Sequence, residues 1–144
     1  MMRGPVTITL KNDLAELERV GVAVEAFGAR HSLSTAAIFD VHLALDEILT
    51  NIVSYGYDDD QPHEITVRLD IEDAQSPPRI VVEVEDDGRA FNPLEAAPPD
   101  VSAPVEERPI GGLGIYLVRR AMDDLEYSRQ QSKNVLVMRK TLTD

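Results

Sequence analysis

The sequence predicts an α+β fold: a two-layer sandwich with helices packed on one face of a mixed, mainly antiparallel sheet. Two observations lead there. Segments with apolar residues at every second position occur near the start, in the middle and at the end of the chain, and segments with the 3.6-residue helical period lie between them. The resulting order is strand, helix, helix, strand, strand, loop, helix, strand, strand. Strands adjacent in sequence with short connections pair antiparallel, and the interspersed helices then cover one face. With 144 residues and no internal repeat, the chain is expected to be one domain, residues 1–144, built on a single core.

The first strand is expected at "VTITL", Val6 to Leu10, where apolar and polar residues alternate. Asn12 or Asp13 can cap a first helix whose buried stripe is Leu14, Leu17, Val20, Val24 and Phe27. Ser34 is a cap for a longer second helix reaching about Ser54, and the turn-forming "GYDDDQPH" ends it. "EITVRLDIE" and "RIVVEVED" follow as an antiparallel pair joined by "DAQSPP". Residues 92 to 109 then carry Pro93, Pro98, Pro99, Pro104 and Pro109 among acids and few apolar residues, which predicts a mobile lid over about 92–111. A third helix opens at "GGLG", and "LEYSRQ" and "NVLVMRKTL" supply two closing strands.

Composition narrows the function classes. Twenty-six acidic against 14 basic side chains leave a formal charge of −12, which repels a phosphate backbone over most of the surface, so nucleic acid is not an expected partner. No cysteine is present for disulfides or thiolate metal sites. There is no signal-like start and no apolar run long enough to span a bilayer, so a cytoplasmic protein without a membrane partner is expected.

Three stretches carry candidate chemistry. In the second helix, Val41, Leu45, Ile48 and Ile52 cluster on one face, and at ~100° per residue Asp40, Ala44, Glu47 and Asn51 form a stripe roughly 110° away, bordering the core. His42 and Asp46 fall on the far, wet side. An acid and an amide at a core border need partners, and a ligand is one source of them. In "IVVEVEDDGRAF", strand parity turns Ile80, Val82, Val84 and Asp86 to the apolar face and Asp87 to water. Asp-Asp-Gly is in general a hairpin turn, but here no return strand follows at once. An inward Asp86 needs a donor, the exocyclic amine of a purine would serve, and Gly88 would let a flat ring approach the backbone. The glycines of "GGLG", Gly111 to Gly114, are either a hinge or a phosphate site at a helix N-terminus. Neither a Walker lysine pattern nor a dinucleotide fingerprint is present.

In order along the chain, Glu47-x-x-x-Asn51 on a helix, Asp86-x-Gly88-x-x-Phe91 after a strand, and Gly112-x-Gly114 opening a late helix resemble the nucleotide-binding boxes of the Bergerat-fold ATPases. That superfamily includes gyrase, histidine kinases and the anti-sigma factor serine kinases. The length, "ILTNIVSYGY", "GGLGIYLVRRAMDDLEY" and the closing "NVLVMRK" look most like the anti-sigma factor kinases that work in partner switching.

The resemblance implies ATP and Mg²⁺ as cofactors, with Glu47 as general base and Asn51 as the ligand of a Mg²⁺ bridging the phosphates. It also implies Asp86 as acceptor of the adenine amine, with Gly88 and Phe91 beside the ring. Gly111, Gly112, Leu113 and Gly114 would close over the triphosphate with the lid, and Arg108 would offer it positive charge. The implied activity is that of a serine/threonine protein kinase that phosphorylates an anti-anti-sigma partner and sequesters a sigma factor, working as a homodimer. The alternatives are a non-catalytic ATP-binding regulatory module and a detached histidine kinase catalytic domain. Two positions depart from the pattern. Tyr55 stands where many members have histidine, so no phosphate role is assigned to it, and Lys133 precedes Asn134 where glycine is common, which leaves the shape of the last hairpin open.

Overall fold

The computed structural model describes residues 5–74, 76–95 and 112–142. Its elements are β1 (Val6–Lys11), α1 (Leu17–Arg30), α2 (Thr35–Tyr55), β2 (Glu64–Glu72), β3 (Arg79–Asp86), α3 (Gly112–Ala121), β4 (Asp124–Gln130) and β5 (Lys133–Thr141), with short 3₁₀ turns at Leu14–Glu16 and Pro93–Glu95. The strands form one sheet in the order β1-β2-β3-β5-β4. Helices on one face of a sheet are as expected, and every pairing is antiparallel, so the mixed element of the expectation drops out.

Register turns alternation into a core. Ile8, Val67, Val84 and Leu136 line up as one cross-strand row, and Leu69, Val82 and Met138 form the next, all buried against the helices. Val20, Val24 and Phe27 of α1, Val41, Ala44, Leu45, Ile48 and Leu49 of α2, and Ile115, Val118 and Ala121 of α3 close over that face. A buried side chain of this kind contributes ~1.5–3 kcal/mol. The row one step further out is Leu10, Ile65, Asp86 and Asn134, so the apolar face turns polar at the ends of β3 and β5. That row adjoins the C-terminal end of α2.

Helix ends follow the local chemistry. Ser34 caps α2, its hydroxyl accepting from the Ala37 N–H at 3.1 Å. Asp13 caps the 3₁₀ turn rather than α1 itself, which displaces Leu14 from the expected core stripe and leaves it 52% exposed. His42 also departs from expectation: it wedges between α1 and α2, where a Cβ on Gly21 would meet its Nε2 at 2.8 Å, while Asp46 beside it is exposed. At the far end of the α2 stripe Asp40 pairs with Lys140 of β5 at 2.9 Å, and the same ammonium donates to the Ala121 carbonyl that ends α3. The last hairpin turns through Gln131 and Ser132, with φ of 51° and 66°, so Lys133 is already in β5 and needs no glycine. Of the expected lid only residues 92–95 are described; Arg108 and Gly111 lie outside the described residues.

Candidate active site

Two residues of the α2 stripe reach the site. A Cβ placed on Gly114 would stand 2.5 Å from Oε2 of Glu47 and 3.8 Å from Nδ2 of Asn51, so the acid, the amide and the first turn of α3 meet at one point. Gly114 is the third residue of that helix and leaves room for the carboxylate, while Gly112 and Leu113 begin the helix. Nδ2 of Asn51 is buried with no acceptor among the described residues. Such an orphaned polar atom costs stability unless a ligand meets it.

The strand-parity expectation for β3 holds: Asp86 is 5% exposed and Asp87 is open to solvent. Oδ1 of Asp86 accepts from the Gly88 N–H at 2.8 Å and from Nδ2 of Asn134 at 3.0 Å. Burial raises the Asp86 pKa above the usual carboxylate value; those two bonds oppose the rise, Asp87 adds to it and the Arg129 guanidinium counters it. Gly88 is needed for close packing: a Cβ there would meet the Gly56 carbonyl oxygen at 2.6 Å, and Arg129 donates to the Gly88 carbonyl at 2.9 Å. The backbone N–H of Arg89 bonds to Gly56 as well, which ties the end of β3 to the end of α2.

Between these elements lies a cavity of about 220 Å³ lined by Asn51, Ile52, Tyr55, Gly56, Asp86, Arg89, Phe91 and Asn134. Phe91 is 47% exposed and lines it. Beside it, the connection from α2 to β2 is held by His63, whose ring stacks on Tyr57 and contacts Asp59 at 2.8 Å and Asp87 at 3.3 Å. The Asp59 hydrogen bond, more than any other influence, raises the His63 pKa. Burial, with Asp86 and Asp87 nearby, pushes the Tyr57 phenol up and keeps it neutral.

The structure thus brings Glu47, Asn51 and Gly114 together, and lines one cavity with Asn51, Asp86 and Phe91. Sequence reasoning missed Asn134, which shares the inward parity of Leu136 and Met138 and is 7% exposed; a polar residue opening an apolar face was the signal available. It also assigned no role to Arg89, Tyr55 or Gly56, which line the cavity. Among the described residues no group of three His, Asp or Glu side chains is arranged to hold a metal alone. An amide oxygen at Asn51 with phosphate oxygens and waters is still a suitable donor set for Mg²⁺, and rotation of the orphaned amide presents that oxygen.

The model of the histidine kinase-like ATPase domain matches residues 10–140. A serine-protein kinase RsbW from Listeria monocytogenes is 30% identical over 143 residues, covering 94% of this chain and 87% of that protein. Another from Bacillus mycoides is 33% identical over 102 residues, covering 68% of this chain and 61% of the relative's length. In fold, the chain is similar to the crystal structure of the RsbU and RsbW domains of a Mycobacterium tuberculosis protein, with a TM-score of 0.66 at 15% identity over 97% of this chain and 33% of that one.

Proposed function

Because the chain belongs to the histidine kinase-like ATPase domain family, we propose that it is an ATP-dependent serine/threonine protein kinase. Its substrate is a serine-bearing anti-anti-sigma partner in a partner-switching system, and a sigma factor is its second partner. Residues 1–144 act as one ATPase unit. What carries the reading is the meeting of the Glu47 carboxylate and the orphaned Asn51 amide at the first turn of α3, next to a cavity that the buried Asp86 lines.

In this reading Asp86 accepts from the adenine amine, and Gly88 and Phe91 border the ring. Asn51 would hold Mg²⁺, which when bound would supply neutralisation of the charge developing on the transferred group. The N–H groups opening α3, from Gly112, Leu113 and Gly114, lend the partial positive charge of a helix N-terminus, with Gly111 and Arg108 adjoining in the sequence. Glu47 takes the proton of the serine hydroxyl as its oxygen bonds to the γ-phosphorus and ADP leaves. Phosphoryl transfer depends mostly on positioning and charge neutralisation, so this inventory suffices. A homodimer belongs to the same reading: among the described residues β1 is an edge strand, paired on one side only, and a monomeric mass in sedimentation equilibrium would refute it.

The decisive test is radiolabel transfer from ATP to the partner protein at saturating nucleotide. Glu47→Gln should bind ATP like the parent and transfer phosphate ~10² to 10⁴ times more slowly, with exposed Asp46→Asn as the matched control. Undiminished transfer by the Glu47 variant, or loss in the control instead, overturns the base assignment. A parent that binds ATP yet phosphorylates no cognate partner is a nucleotide-gated regulatory module.

A further inference from the structure

We propose that Asn134 and Tyr127 are positioning residues that aim the Asp86 carboxylate and thereby make the cavity select a 6-amino purine over a 6-oxo purine. The inference rests on the ATP-site reading above. Asp86 and Asn134 are direct cross-strand partners, and Tyr127 of β4, paired with Leu136, is the diagonal neighbour of Asn134. A side-chain amide can donate two hydrogen bonds and accept two. Asn134 makes all four: Nδ2 donates to Asp86 Oδ1 at 3.0 Å and to the Arg89 carbonyl at 2.8 Å, and Oδ1 accepts from the Tyr127 hydroxyl at 2.6 Å and from the Phe91 N–H at 3.3 Å.

The partners also settle which way the amide points. A backbone N–H can only donate and a backbone carbonyl can only accept, so Phe91 must face the oxygen of Asn134 and Arg89 its nitrogen. The Tyr127 hydroxyl supports that sense. Asp86 Oδ1 is then occupied by Asn134 and by the Gly88 N–H, and Oδ2 is the oxygen with no donor among the described residues. A ligand amine satisfies it. A ligand carbonyl at that place would face a carboxylate, and Asn134 has no N–H left to offer it. The same amide holds the backbone of residues 89 to 91, which carries Arg89 and Phe91 at the cavity wall.

The test is titration calorimetry of the full chain with ATP and with inosine triphosphate, which carries an oxygen where ATP carries the amine. The parent should prefer ATP. Asn134→Ala frees the carboxylate to turn, so the ATP-to-inosine-triphosphate preference should fall about tenfold, and Tyr127→Phe should lower it about threefold in the same sense. A merely structural role would weaken both nucleotides equally, so equal weakening, or an unchanged ratio, overturns the proposal. If the alanine variant fails to fold, Tyr127→Phe decides by the same ratio. A parent that binds ATP with no preference defeats this inference alone, whereas a parent that binds neither nucleotide defeats the ATP-site reading and this inference with it.

Discussion

A Cβ on Gly114 would approach Oε2 of Glu47 to 2.5 Å, and the atom it meets is the free end of a flexible side chain rather than backbone. Gly114→Ala should therefore fold at least as well as the parent, since alanine in a helix gains up to ~1 kcal/mol over glycine. Phosphate transfer should nevertheless fall by about 10² or more as the carboxylate is pushed aside. A thermal melt beside a transfer assay checks it, and retained transfer would show that Glu47 need not lie there. Asp86 separates stability from function in the same way. Asp86→Asn keeps an acceptor for Gly88 and Asn134 but loses the charged acceptor for the ligand, so ATP affinity should drop by about ten- to a hundredfold, the worth of a charge-assisted bond. Asp87→Asn, on the exposed side, should change ATP affinity little. The folded-state pKa of Asp86 is raised, so its contribution to stability is fully present below the unfolded value of 3.8 and is lost as pH rises through the folded value. At pH 7 the Asp86→Asn variant should thus melt no lower than the parent, and ATP binding by the parent should weaken as pH falls through the raised value. A large drop in melting temperature would contradict this account.

Among the elements, the β4–β5 hairpin is where local preference and structure disagree most. Gln131 and Ser132 both take positive φ, a backbone region costing roughly 1–2 kcal/mol per residue for side chains other than Gly, Asn or Asp. Replacing the pair by Asn-Gly, the preferred type I′ sequence, should stabilise the domain by about 1 kcal/mol, read as a higher denaturation midpoint at unchanged slope. No stabilisation would mean that the turn is already relaxed. The hairpin also carries Tyr127, Arg129 and Asn134, so the turn sets the register that delivers three side chains to the Asp86 site. The α2 stripe is divided by tertiary contacts in a way its periodicity does not reveal. Its N-terminal acid, Asp40, is absorbed by Lys140, whereas Glu47 and Asn51 face the first turn of α3 at Gly114.

At the scale of the whole molecule, the site joins α2, the end of β3, α3 and β5, so a nucleotide that fills it should stabilise the fold cooperatively. ATP at a hundred times its dissociation constant adds about 2.7 kcal/mol, expected to raise the melting temperature by roughly 5–11 °C in a domain of this size. Asp86→Asn should show little of that rise at the same ATP concentration, and an equal rise in both would remove Asp86 from the site. The sequence by itself determined the α+β order, the extents of β2 and β3, the cap at Ser34, and the sides on which Glu47, Asn51, Asp86 and Asp87 stand. These follow from periods of 2 and 3.6 residues, which a backbone imposes on near neighbours in the chain. Only the tertiary structure decided that Glu47 lies against Gly114, that His42 wedges into Gly21, and that Asn134 clasps Asp86 from 48 residues away. Those contacts depend on register and helix packing, and no local period records which distant side chain will share a given ångström of space.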